Sequence, residues 1–302
     1  MIWHVVGAFG VGLLTLVASV VVILAGPPLA GEWSGRTQIA RITQGQLERQ
    51  YRVYRPTGLS ARPGLVIDLH SARTNGFLEE LATRFDAQAD RLGWIVAYPD
   101  GFADGWEPYG CCHHQGVDDA AFISELITRL ESSDGVDPER VYVTGLSRGG
   151  MMAYRLGCEL STRVAAIAAT AGNMADENGS VRGAPCQPQR PVSVLSIHGS
   201  ADAVVPIRGG GRIAPLEDVI GRWRELNGCA SAEAVTVRGP VVARSWRCRG
   251  GSEVRSMLID GVGHVWPGTP FSGLPWSAGA SLDASQAVAD FFAAHPRAPA
   301  SN

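Results

Sequence analysis

Two kinds of apolar spacing alternate along this chain of 302 residues. Residues 37–43 and 47–54 switch between apolar and polar at nearly every step, as an antiparallel pair with one wet face does, and Arg55-Pro56-Thr57-Gly58 closes the second of them. Short apolar runs follow at 65–69, 94–99, 140–144, 164–171 and 192–197, bounded by turn residues and too short for helices. They read as buried strands. Between them the spacing changes to three and four. Residues 77–92 place Leu78, Leu81, Phe85 and Ala89 on one helical face, and 118–130 do the same with Phe122, Leu126 and Leu130. Residues 151–156, 215–226 and 282–292 also read as helices, and 234–237, 243–248 and 254–259 as further strands. This order predicts an α/β fold: one mostly parallel central sheet with helices on both faces. Its crossovers are right-handed, and ligands bind beyond the carboxyl ends of its strands.

The first thirty residues break the pattern. No charged side chain occurs from Val5 to Leu24, and Gly26-Pro27-Pro28 then forbids continued helix. The run is long enough to span a bilayer and reads as a signal peptide or an uncleaved membrane anchor. Either implies an exported chain, secreted or held at the outer face of a membrane through residues 5–24. The expected organisation is thus a leader at 1–30, a linker at 31–36, one domain at 37–296 and a short tail at 297–302.

Cysteine usage fits export. Cys111, Cys112, Cys158, Cys186, Cys229 and Cys248 allow up to three disulfides, in fifteen connectivities. Cys229 and Cys248 flank a turn and a strand and form the natural local pair; the other four lie toward the expected active-site end. Cys111-Cys112-His113-His114 is dense in ligand types, but adjacent residues of an extended loop point apart and no C-x-x-C spacing is present, so no metal is expected. The net charge of −3 gives no basic field for nucleic acid.

The candidate chemistry gathers at strand ends. Gly145-Leu146-Ser147-Arg148-Gly149 fits G-x-S-x-G between an expected strand and an expected helix, the setting that gives this motif its meaning. A tight turn there exposes the Ser147 hydroxyl and puts it at a helix amino end, which favours developing negative charge. Asp202 follows the strand ending at Ile197, and His264 follows the strand ending at Ile259. A nucleophile, a carboxylate and a base in the order Ser…Asp…His form an acyl-transfer triad. Oxyanion donors are expected from the backbone N–H of Arg148 and from that of Ser71 or Ala72, in the loop after the first buried strand. Trp106 and Trp266 are the expected substrate contacts, among nearby aromatics that include Tyr109 and Trp276. His70 and His198 end strands and are expected to pack beneath the site, bonded to loop backbone. Asp118 and Asp119 start a helix, where capping is the default.

At these residues the chain resembles the secreted esterases that include feruloyl esterases and polyhydroxybutyrate depolymerases, a branch of the α/β-hydrolases. The resemblance rests on Leu65-Val66-Ile67-Asp68-Leu69-His70, Tyr98-Pro99-Asp100-Gly101, Cys111-Cys112, Asp118-Asp119-Ala120-Ala121-Phe122-Ile123, Gly145-Leu146-Ser147-Arg148-Gly149-Gly150, His198-Gly199-Ser200-Ala201-Asp202 and Gly263-His264-Val265-Trp266-Pro267-Gly268. It implies Ser147 as nucleophile, His264 as base and Asp202 as its partner, with no metal and no organic cofactor. Ser71 stands where the family commonly has Gly, a departure within the oxyanion loop. The resulting expectation is an exported serine carboxylic-ester hydrolase for feruloyl, aryl or short-chain acyl esters. Depolymerisation of a polyhydroxyalkanoate and acyl transfer to an alcohol are alternatives on the same triad; a non-catalytic binding protein is the rival from another class.

Overall fold

A computed structural model describes residues 36–103, 105–108, 116–174, 181, 186–231, 233–269 and 282–297. Ten strands form one sheet: β1 (Thr37–Gln44), β2 (Leu47–Tyr54), β3 (Leu65–Leu69), β4 (Ile95–Pro99), β5 (Val141–Leu146), β6 (Ala166–Thr170), β7 (Ser193–Gly199), β8 (Ala234–Arg238), β9 (Val241–Arg247) and β10 (Glu253–Ile259). Their spatial order is β1-β2-β4-β3-β5-β6-β7-β10-β9-β8. The six central strands, β4 to β10 in that order, run parallel. The alternating hairpin β1–β2 adds an antiparallel edge on one side, and β9 and β8 add another on the opposite side. The chain leaves β3 for β4 on one flank and returns to β5 on the other. The carboxyl ends of β3 and β5 therefore border the crevice where an open α/β sheet binds its ligand.

Side-chain alternation along the strands separates two cores. Leu65, Ile67, Leu69, Val141 and Val143 face one way, onto α3 (Asp119–Asp134), α4 (Arg148–Glu159) and α5 (Leu216–Asn227), which contribute Phe122, Leu126, Leu156 and Trp223. Val66, Val96, Tyr98, Tyr142 and Leu195 face the other way, where α2 (Phe85–Leu92) and α6 (Ala284–Ala294) contribute Phe85, Ala89, Phe291 and Phe292. Each large apolar side chain buried this way contributes about 1.5–3 kcal/mol. Strands wet on neither face read as continuous apolar runs, which is why the central ones are visible in the sequence.

One expected element is two. The periodic stretch 77–92 breaks at Arg84, which adopts φ 52°, into α1 (Gly76–Thr83) and α2. The face α1 buries is not the apolar one: Gly76, Glu79, Glu80 and Thr83 point inward, while Phe77 and Leu78 are exposed. A straight helix would keep Leu78 and Phe85 on one side. The turn at Arg84 instead lets Glu80 meet Arg52 at 2.5 Å and the Thr83 hydroxyl donate to Asp68 at 2.7 Å, while Phe85 still reaches the core. Polar pairing beneath α1 thus overrides its apolar period. Among the described residues no helix is long and apolar enough to cross a membrane; the stretch 5–24 lies outside them, as do Tyr109, Cys111, Cys112, His113, His114 and Trp276.

The Cys229–Cys248 disulfide joins the expected local pair, and a second bond links Cys158 to Cys186. Cys158 sits in the last turn of α4. A helix rises about 1.5 Å per residue, so this bond is roughly 16 Å from Ser147 and not at the active-site end as its place in the sequence suggested.

Candidate active site

Ser147 stands between β5 and α4 with φ 57° and ψ −116°, a backbone conformation that costs a non-glycine residue energy and persists only when its surroundings impose it. Its N–H donates to Thr170 O at the end of β6 (2.9 Å), and its carbonyl accepts from Met151 N–H in the first turn of α4 (2.9 Å). Gly149 makes the turn possible. A Cβ on it would lie 1.9 Å from Leu69 O, so only a bare Cα lets α4 start this close to β3. Arg148 is the first helical residue, and helix geometry gives its N–H no intrahelical acceptor.

The expected carboxylate and base, Asp202 and His264, come together at the ends of β7 and β10. His264 Nδ1 lies 2.8 Å from Asp202 Oδ2, while Oδ1 accepts from Val204 N–H and Val205 N–H, each at 2.9 Å. The Asp202 side chain is fully buried. Burial works against its charge, but hydrogen bonds from His198 and His264 and from Val205 N–H outweigh it and hold the carboxyl well below the usual range. Asp202 therefore stays an acceptor, so Nδ1 of His264 carries the proton and Nε2 presents its lone pair. Gly199 admits the His264 loop, since a Cβ there would meet Val262 O at 2.0 Å. Asp260, the other acid near His264 in sequence, instead accepts from the Ser200 hydroxyl at 2.9 Å. No hydrogen bond joins Ser147 to His264 among the described residues; such bonds are commonly long before substrate arrives.

The loop after β3 is braced by His70. Its Nε2 accepts from Gly101 N–H (2.8 Å), so the donor is Nδ1, which meets Ser71 O at 2.7 Å. Burial lowers the affinity of this ring for a second proton. Thr74 adds a hydroxyl bond to Ser71 O at 2.8 Å. Trp106 is fully buried, and its indole N–H donates to His70 O at 3.0 Å. Trp266 is likewise buried, bonded through its N–H to the Ser285 hydroxyl at 2.9 Å. Both expected substrate contacts are corrected: these indoles brace the loops from beneath, their polar handles already paired. Asp118 caps α3 as expected, accepting from Ala121 N–H at 3.0 Å. Asp119 does more than cap. It is buried and pairs with Arg49 at 2.7 Å while accepting Glu107 N–H, which ties β2 to the loop carrying Trp106.

Two side chains near the site have contacts the sequence did not signal. Glu79 is buried under the crevice; desolvation and the Asp68 carboxyl raise its pKa well above the ordinary value, while the nearby backbone of Leu146 and Ser71 pulls the other way. A glutamate inside an amphipathic helix reads as solvated, and only the break at Arg84 turns it inward. His198 bonds loop backbone as expected, but also approaches Asp202.

Comparison with known proteins places the chain. Residues 104–222 match the family described as phospholipase/carboxylesterase. The chain is 31% identical to feruloyl esterase B of Piromyces equi over 222 residues, 69% of this chain and 40% of that protein. It is 30% identical to the putative esterase NocK of Nocardia uniformis subsp. tsuyamanensis over 276 residues, 80% of this chain and 78% of that one. The matched parts thus span less than half of the fungal enzyme and most of the bacterial one. The structure of the acetyl xylan esterase from Aspergillus awamori superposes with a TM-score of 0.59 at 18% identity, covering 80% of this chain and 98% of that chain. On this relatedness, and on a shared fold, the chain belongs to the esterase family of the α/β-hydrolases, a family of carboxylic-ester hydrolases.

Proposed function

We propose that the protein is an exported serine esterase whose nucleophile is Ser147, whose base is His264 and whose orienting carboxylate is Asp202. The observation that carries this reading is the 2.8 Å contact of His264 Nδ1 with a buried Asp202, at the carboxyl ends of β7 and β10 in the same parallel sheet whose β5 ends at a Ser147 held at positive φ. Ser147 Oγ attacks the ester carbonyl carbon while its proton passes to His264 Nε2. The oxyanion is held by the N–H of Arg148 and by that of Ser71 or Ala72 in the loop after β3. Collapse expels the alcohol, which takes the proton from His264 and leaves acyl-Ser147. Water, deprotonated by His264, attacks the acyl carbon, and the acid leaves as Ser147 is restored. Asp202 keeps its charge throughout and stabilises the imidazolium that forms in each half.

The substrate class is a feruloyl, other aryl or short-chain acyl ester, small or attached to a polymer, in line with the name of the Piromyces relative. Export is supported by the Cys158–Cys186 and Cys229–Cys248 disulfides together with the uncharged stretch 5–24. The reaction as written uses side chains, backbone and water. The test is hydrolysis of p-nitrophenyl acetate and butyrate, methyl ferulate and a polyhydroxybutyrate suspension, with Ser147→Ala alongside. The wild type turns over the soluble esters, and Ser147→Ala loses on the order of a millionfold in kcat, by analogy with the subtilisin nucleophile. Equal turnover by both proteins sinks the nucleophile assignment, and a preference for the suspension moves the substrate to the polyester.

A further inference from the structure

We propose that His198 is a positioning residue for the same triad: a second histidine on Asp202 that fixes the carboxylate against which His264 is aligned. The inference rests on the triad reading above and concerns a group that reading leaves unused. His198 is the penultimate residue of β7, and its side chain is fully buried. Its Nε2 lies 2.8 Å from Val205 O and 3.3 Å from Asp202 Oδ2. A carbonyl oxygen only accepts, so Nε2 carries a hydrogen. Nδ1 is buried and has no hydrogen-bond partner among the described residues, so a second proton would find no acceptor there. The ring is accordingly the Nε2–H tautomer, its N–H bonded to Val205 O with the Asp202 carboxylate 3.3 Å from the same nitrogen.

That N–H stands close to the Asp202 carboxylate. Oδ1 takes the N–H groups of Val204 and Val205, Oδ2 takes His264 Nδ1–H, and His198 Nε2 lies 3.3 Å from Oδ2. The positive end of the His198 N–H dipole attracts the charged oxygen and favours the position in which Oδ2 meets His264. Without it that attraction is lost, and rotation of the carboxylate costs less. The same N–H also ties Val205 O to β7, so His198 fixes both the turn that carries Asp202 and the oxygen that faces His264. The i,i+4 spacing of His198 and Asp202 across Gly199-Ser200-Ala201 is what brings the two together.

The experiment measures kcat and KM of the full-length protein on p-nitrophenyl acetate for His198→Leu, His198→Gln, His198→Asn, Asp202→Ala and the double variant Asp202→Ala/His198→Leu. Thermal melts run in parallel. Loss of an outer partner of a functional ligand costs about 10–100-fold elsewhere, so His198→Leu lowers kcat by about that factor with KM little changed. Gln, whose amide N–H can reach both acceptors, recovers most of the loss, and the shorter Asn does not. In the Asp202→Ala background, His198→Leu adds no more than about a twofold loss, because its effect passes through Asp202. Losses that multiply in the double variant, or a leucine variant as active as wild type, overturn the proposal. If the leucine variant fails to fold, the Gln and Asn pair decides it: equal activities overturn it. If Asp202→Ala alone keeps wild-type activity, the triad reading fails; if that variant is impaired and His198→Leu is not, only the role of His198 fails.

Discussion

At the scale of single residues, this site is made by backbone positions that forbid a side chain as much as by side chains that react. Gly149 is the sharpest case. A Cβ there would sit 1.9 Å from Leu69 O and 2.8 Å from His70 O, and both obstacles are main chain at the end of a buried strand. Neither can yield without moving β3 or α4. Gly149→Ala is therefore expected to cost about 4 kcal/mol or more, in the class of severe overlaps. It should abolish esterase turnover together with the cooperative melt, as circular dichroism during heating would record. A variant melting within a degree of wild type would show that the turn has slack the geometry denies it. The sharp turn at Ser147 and the meeting of Asp202 with His264 were legible in the sequence, because a strand-to-helix turn of this kind needs small neighbours at fixed spacing and because the two residues follow neighbouring strands. Trp106 and Trp266 were legible as important but not as buried. Nothing in a local pattern says whether an indole faces a cleft or, as here, spends its N–H on His70 O and Ser285.

Among elements, the strands and the mostly parallel character of the sheet were legible; the spatial order of the strands and the fine geometry of the helices were not. Central strands announce themselves because both of their faces are apolar. The break at Arg84 was hidden, since the spacing of Leu78, Leu81, Phe85 and Ala89 is consistent with one helix; what breaks it is a long-range requirement, the meeting of Glu80 with Arg52 and of Thr83 with Asp68. Helix α4 shows how one element divides its tasks. Its amino end holds Ser147, while its carboxyl end is pinned by Cys158 to Cys186, 28 residues later and shortly before β7. A loop of that length constrains the unfolded chain by about 3–4 kcal/mol. Replacing both cysteines by serine is thus expected to lower Tm by about 10 °C while leaving kcat on p-nitrophenyl acetate at 25 °C within about twofold, the bond being roughly 16 Å from Ser147, the proposed nucleophile. An unchanged Tm would mean the bond adds no constraint. A large fall in kcat with the protein folded would mean that α4 transmits its far end to the site.

The molecule as a whole carries two opposed sets of buried acids, and their balance sets how its stability responds to pH. On one side is Asp202, held charged by its donors. A carboxyl with a depressed native pKa stabilises the fold above its unfolded value and loses that contribution as the pH falls below about 4. On the other side is the cluster beneath α1 and α2. Burial raises Asp68 to about 7 against a hydrogen bond from Thr83, raises Asp86 to about 8 against one from Tyr98, and with the Asp68 carboxyl lifts Glu79 well above its ordinary value. The sign here is the reverse. These acids bind protons more tightly in the folded state than in the unfolded one, so between pH 4 and 8 the native state holds the larger number of protons. Stability then falls as pH rises through that window, fully present below the unfolded values and spent above the folded ones. One pKa unit corresponds to about 1.4 kcal/mol, so the cluster is worth a few kcal/mol between pH 5 and pH 8. The expectation is a Tm that peaks near pH 5 and declines toward pH 8. Asp68→Asn should flatten that decline, because the amide oxygen still accepts from Thr83 but no longer titrates, and it relieves Glu79 of its nearest like charge. Melts of both proteins across this range decide it: equal slopes would remove Asp68 from the account and leave Asp86 to carry it.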